Sequence, residues 1–224
     1  MPVPRPIPVP SQAGIQWFQH QLLRWGADNL RDFPWRRTRN PYAIFVAEFL
    51  LQKTGAQQAR RVYEQFLERY PTLTSVANAN LHELETLLAP LGLIFRAERL
   101  HRAAERLLAE YGGEVPEQRS ELLKLPGVGP YTANAICASA FGQRTPVLDV
   151  NVARILGRFF GLPPLKLPQR DRDYNHLTYR VAPHQQVARW NLTLLDFGAL
   201  VCVARRPKCD RCPLSPQCTF SRSQ

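Results

Sequence analysis

"KLPGVGPYTANA", Lys124–Ala135, sets glycines on either side of a valine, follows them with a proline, and runs on into small residues of helical composition. Glycine permits backbone angles closed to other residues and leaves the neighbouring amides uncovered. Pro130 suits a first helical position, where no amide donor is needed. The stretch therefore predicts a helix end, a tight loop at Gly127–Val128–Gly129, and a new helix from about Pro130. A helix N-terminus with exposed amides binds an anion, and a nucleic-acid phosphate is one such anion. The first large side chain after the turn is Tyr131.

The rest of the chain gives that loop its context. The sequence has 224 residues and a formal net charge of +11, with 45% hydrophobic residues. It is long enough for one large domain or two small ones, and its charge suits a polyanionic partner. No apolar run approaches the roughly 18 residues of a membrane span, and the N-terminus does not read as a signal peptide. The expectation is a cytoplasmic, nucleoid-associated monomer without membrane contact, in a compartment where disulfides are rare. An isolated Gly-Val-Gly is more simply an ordinary glycine stop. The full string in so basic a chain reads as a helix–hairpin–helix, which grips DNA backbone without reading sequence.

Working outward, "MPVPRPIPVP" reads as an extended tail, residues 1–12. Beyond it the chain reads as helical segments ended by Gly or Pro, interrupted by the irregular link "RDFPWRRTRNP" and by a proline-rich, charged link before "YNHLTYR". "IQWFQHQLLRWGADNL" gathers Trp17, Phe18, Leu22 and Trp25 on one face, and "YAIFVAEFLLQKTGA" is apolar nearly all round. No segment reads as a strand. The fold class is all-α, with about ten short helices.

Three features carry chemistry. Cys202, Cys209, Cys212 and Cys218 form a C-x6-C-x2-C-x5-C array, whereas Cys137 sits alone in an apolar segment and reads as core. Four thiolates in so short a loop suit either zinc or a [4Fe–4S] cluster, and spacing alone leaves both open. The first gap holds Arg205, Arg206 and Lys208, placed to meet phosphate. Glu48 is the only charge in "AIFVAEFLLQ". A buried carboxyl there would have a raised pKa and carry a proton near neutrality; a salt bridge to an arginine is the plainer alternative. Asp149, in "TPVLDVNVARIL", reads either as a helix N-cap or as a carboxylate that stabilises a cationic sugar.

Together these segments resemble the endonuclease III-like DNA glycosylases, over nearly the whole chain after the tail. "LPGVGPYTA" is similar to the family's hairpin. "VLDVNVARIL" is similar to the segment bearing its catalytic aspartate, at Asp149. The cysteine array is similar to its [4Fe–4S] motif, which decides for iron–sulfur over zinc. "FPWRRTRNPYAIFVAEFLLQKT" resembles the opening of the mismatch-specific branch, with its catalytic glutamate at Glu48. The resemblance implies two helical lobes with a DNA cleft between them: residues 33–143 with the hairpin, and 13–32 with 144–224 around the C-terminal cluster loop. It implies double-stranded DNA as partner, and cleavage of the bond between a flipped base and its sugar.

Tyr131 stands where bifunctional members carry a lysine that forms a Schiff base, and where adenine-removing members carry serine. Tyrosine resembles the thymine–guanine mismatch glycosylases, as does "FGALVCVARRPKC". The resemblance therefore implies a monofunctional enzyme removing thymine or uracil opposite guanine, with little or no lyase activity. Two departures from the adenine enzymes agree: the chain ends soon after Cys218, without their C-terminal recognition domain, and "PLGLIFRAERL" lacks their tyrosine pair. Gln52 resembles the adenine branch instead, so an adenine glycosylase without that domain is the alternative. A catalytically silent DNA-binding module is a further one, which the presence of both carboxylates disfavours. Lys53 falls where relatives fill the gap left by the flipped base, and Pro130 removes one amide contact to phosphate.

Overall fold

The protein is described by a computed structural model covering residues 10–92, 95–165 and 167–223; the expected extended tail falls largely on residues 1–9, outside the described residues. The described residues form twelve α-helices and five short 3-10 turns, and no strand occurs among them. In chain order the helices are α1 (Gln12–Asn29), α2 (Pro41–Leu50), α3 (Ala56–Arg69), α4 (Leu73–Ala77), α5 (Leu81–Leu88), α6 (Phe95–Tyr111), α7 (Arg119–Leu122), α8 (Pro130–Phe141), α9 (Val150–Phe160), α10 (Arg172–Val181), α11 (Val187–Leu200) and α12 (Thr219–Arg222). The count exceeds the expected ten because single-turn pieces such as α4, α7 and α12 carry too little periodicity to be read. Two compact units divide the chain: Asp32–Gln143, and the segments before and after it.

In the Asp32–Gln143 unit, α2 is the central helix. Its apolar sequence buries Ile44, Phe45, Val46, Ala47, Phe49 and Leu50, and it packs on α3, α6 and α8. Full burial of such side chains contributes about 1.5–3 kcal/mol each for the larger ones. Around it, α3 is amphipathic and buries Ala59, Val62, Tyr63 and Phe66, spaced three and four apart as a helical face requires. Cys137 is fully buried within this core, in α8.

The other unit packs α1 on α11, and α9 on α11 and α12. Phe18 of α1 lies 4.6 Å, ring to ring, from Phe159 and 5.9 Å from Trp190. Gly26 lets α1 approach α11, since a β-carbon there would lie 2.4 Å from Thr193 Oγ1. Asp196 is fully buried on α11 and is answered by Arg31, whose Nε and backbone amide each donate at 2.7 Å. Removing one partner of such a pair costs about 3–5 kcal/mol, so this contact fixes the end of α1 to α11.

Candidate active site

The hairpin is built by α7, the loop Leu123–Gly129 and α8. Gly127 has φ +80°, and a β-carbon on it would meet Phe49 Cε1 at 2.8 Å and Arg99 Cβ at 3.2 Å. Glycine is thus required twice there, for backbone angle and for space. Gly129 differs from the expectation: its φ of −99° is open to any residue, and nothing lies within 4 Å of its β-carbon position. The Val128 side chain is buried, and its amide donates to Leu125 O at 3.1 Å. The amides of Gly127 and Gly129 make no hydrogen bond among the described residues. No side chain caps α8, so its positive end faces whatever occupies the space over Gly129. Tyr131 stands half-buried at the second position of that helix.

The end of α2 is tied to this loop. Gln52 Nε2 donates to Gly127 O at 3.0 Å, so the glutamine side chain is engaged in holding the hairpin. Lys53 follows, exposed, with φ +55°. One turn before Gln52 lies Glu48. It keeps a partly exposed edge, yet burial pushes its pKa up to about 8, with the Arg36 guanidinium opposing the shift. No hydrogen bond reaches its carboxyl among the described residues. The unit Asp32–Gln143 thus brings Glu48, Gln52, Lys53, Gly127, Val128, Gly129 and Tyr131 onto α2, α8 and the turns at their ends.

The other unit carries Asp149, which caps α9. Its Oδ1 accepts from the backbone amides of Asn151 at 2.9 Å and Val152 at 2.7 Å, and its Oδ2 from Asn151 Nδ2 at 2.8 Å. Asn151 in turn accepts from Arg154 at 2.9 Å, and Arg154 Nε donates to Cys202 O at 2.8 Å. A continuous hydrogen-bonded chain therefore runs from the Asp149 carboxylate to the cysteine loop. Asp149 is both cap and oriented carboxylate: the two readings of its sequence are compatible.

Cys202, Cys209, Cys212 and Cys218 line one small cavity with Arg158, Leu214 and Phe220, and all are free thiols. Burial first, and the neighbouring thiols with it, push Cys212 up to about 11, against a backbone hydrogen bond near Leu214. Arg158 Nη1 donates to Cys202 Sγ at 3.4 Å and to Val203 O at 2.8 Å. Among the described residues no three His, Cys, Asp or Glu side chains converge as the donors of a single ion. Arg205, Arg206 and Lys208 are exposed on the loop between the first two cysteines, without an ion pair among the described residues; Arg206 has φ +52°.

Three arginines and an asparagine were not singled out in the sequence. Arg154, Arg158 and Asn151 lie in "DVNVARILGR", where only Asp149 was read. Arg96 is 1% exposed and hydrogen-bonds the turn after α2. Its signal was present: it falls four residues before Leu100, on the buried face of α6.

Residues 46–175 match the HhH-GPD superfamily base excision DNA repair protein family. The thymine/uracil-DNA glycosylase of Methanothermobacter thermautotrophicus is 36% identical over 200 residues, covering 89% of this chain and 90% of that one. The adenine DNA glycosylase of Mycobacterium tuberculosis is 35% identical over 216 residues, covering 95% of this chain and 71% of that one. The solved structure of a thermostable thymine-DNA glycosylase superposes with a TM-score of 0.90 at 33% identity, covering 94% of this chain and 97% of that one.

Proposed function

The chain belongs to the HhH-GPD superfamily of base excision DNA repair proteins, and from that premise we propose that it is a monofunctional mismatch DNA glycosylase, hydrolysing the bond between deoxyribose and a thymine or uracil mispaired with guanine. One observation carries the reading: a carboxylic acid with pKa pushed up to about 8 and a glycine loop with open amides are joined, through Gln52, in one compact unit. The whole-length likeness to thymine/uracil and thymine glycosylases supports the choice of base.

In this reading the amides of Gly127 and Gly129 and the uncapped head of α8 hold a backbone phosphate, with no base-specific contact. Val128 supports them from the core, and Lys53 fills the gap left by the extruded nucleotide. Arg205, Arg206 and Lys208 add phosphate contacts. The target must leave the stack before its C1′ is accessible. The C1′–N1 bond breaks, the pyrimidine departs with the electron pair, and Glu48, protonated below about 8, supplies the proton it takes up. The sugar is left with oxocarbenium character, which the Asp149 carboxylate stabilises from its fixed orientation until water adds at C1′ and gives up a proton that restores the Glu48 acid. Tyr131 contributes a phenol where an imine would need an amine, so the sugar is released as an intact abasic site.

The four cysteines are the residues that would hold a [4Fe–4S] cluster: they are free and they line one cavity. When bound, the cluster cross-links a short loop of little regular structure. Arg154 and Arg158 tie that loop to α9.

A panel of single-mispair duplexes tests the assignment. Release of thymine from G·T and uracil from G·U is the expected result. Release of adenine alone, from A·G, would move the protein to the adenine-specific class.

A further inference from the structure

Arg96 is a buried charge that the reading above does not use. It is 1% exposed, and no carboxylate among the described residues answers it. Nη1 donates to Leu50 O at 2.7 Å, and Nη2 donates to Gln52 O at 2.7 Å and Thr54 Oγ1 at 2.9 Å. Nε has no partner among the described residues, and burial draws the pKa below the ordinary arginine value. Leu50 O is one of the carbonyls that α2 leaves open at its C-terminus, where a cation is favoured, and Gln52 O belongs to the turn that follows. An apolar side chain would serve the core without this desolvation cost.

What the charge secures is the turn from Gln52 to Thr54. Lys53, at its middle, takes a left-handed backbone with φ +55°, which a side-chain-bearing residue adopts against its preference. A glycine would be unstrained there. The chain has one two residues later, at Gly55, where φ is −65° and any residue fits. Strain of this kind persists where the surrounding contacts over-determine it, and it concentrates at functional positions. Here the contacts are the Arg96 fork on one side and the Gln52 amide on Gly127 O on the other.

We propose that Arg96 is a positioning residue: it locks the Gln52–Thr54 turn so that Lys53 projects from a fixed, strained backbone, and thereby sets how well the enzyme holds the target nucleotide out of the stack. The inference deepens the glycosylase reading and rests on the assignment of Lys53 to the gap in the duplex.

The test uses the full chain and a G·T duplex with 2-aminopurine beside the mispair, whose fluorescence rises on unstacking. Single-turnover base release and thermal unfolding are followed on the same samples. Lys53→Ala loses the fluorescence rise and at least tenfold in single-turnover rate. Arg96→Lys keeps the charge but replaces a planar fork by a point donor, so it folds and reproduces the same loss. Because Arg96 acts through Lys53, the double variant is no worse than Lys53→Ala alone. Lys53→Gly raises the unfolding midpoint by relieving the backbone while still losing the fluorescence rise. Full fluorescence and rate in Arg96→Lys, or losses that multiply in the double variant, would show that Arg96 serves stability alone and overturn the proposal. An unchanged Lys53→Ala overturns it together with the assignment of Lys53, while base release by the wild-type protein still upholds the glycosylase reading.

Discussion

Glu48 and Asp149 are carboxyl groups in unlike surroundings. Burial keeps the proton on Glu48 up to about pH 8, whereas three donors fix the Asp149 carboxylate. The Glu48 shift also makes a stability statement. The folded chain holds that proton from the ordinary 4.5 up to about 8, while the unfolded chain releases it, so stability falls as pH rises through that window. Glu48→Gln should remove this slope and unfold later than wild type above pH 8, by on the order of 2 kcal/mol given the exposed edge of the side chain. The same variant should slow base release and abolish the decline in rate as pH rises past 8; thermal melts and single-turnover rates at several pH values check both. Asp149→Asn separates cap from catalyst, since asparagine caps a helix as well as aspartate does. Both bonds to the backbone amides survive and only the Asn151 Nδ2 contact is lost, so stability should fall by about 1 kcal/mol while base release falls by about 10²-fold or more. A variant releasing base at the wild-type rate would leave Asp149 as a cap only.

At the scale of the element, the hairpin uses its glycines differently, and "PGVG" does not say so. Both look like conformational glycines in sequence; only Gly127 has a left-handed backbone, and only it is pressed against Phe49. That contact joins positions far apart in the chain, which local reading cannot see. Gly127→Ala should therefore destabilise the fold by about 1–3 kcal/mol through strain and overpacking. Gly129→Ala should fold as wild type but bind matched and mispaired duplexes alike more weakly, because a methyl enters the space left for phosphate. Denaturant melts with binding titrations distinguish them. Arg96 teaches the same lesson from the other side. Within "FRAERL" only the spacing to Leu100 marks Arg96 for burial, and the groups that satisfy it there, the carbonyls of Leu50 in α2 and of Gln52 in the turn beyond, are far away in the chain. By contrast the all-round apolar pattern of α2 was sufficient to predict burial, because no solvent-facing side exists to place.

For the whole molecule, helical periodicity and Gly or Pro stops made the all-α class legible, while one-turn helices escaped. The hydrogen-bonded chain from Asp149 through Asn151 and Arg154 to Cys202 was not legible, since Arg154 and Cys202 are 48 residues apart and both look locally explained. The cysteine spacing left zinc and iron–sulfur open, and the cluster assignment rests on family resemblance and on the shared cavity. Purified protein should be brown, with broad visible absorption from thiolate-bound iron. Cys209→Ser should lose the colour and the iron on elemental analysis. A colourless wild-type protein holding one zinc would overturn the assignment.

The central claim is that this chain breaks a glycosidic bond and stops there. The direct measurement is a single-turnover reaction on a G·T duplex, with free base and strand integrity read from the same sample, before and after hot alkali and with borohydride present. The account predicts free thymine, a strand intact until alkali is added, and no borohydride-trapped complex. A strand already nicked without alkali, together with a trapped protein–DNA adduct, would contradict it.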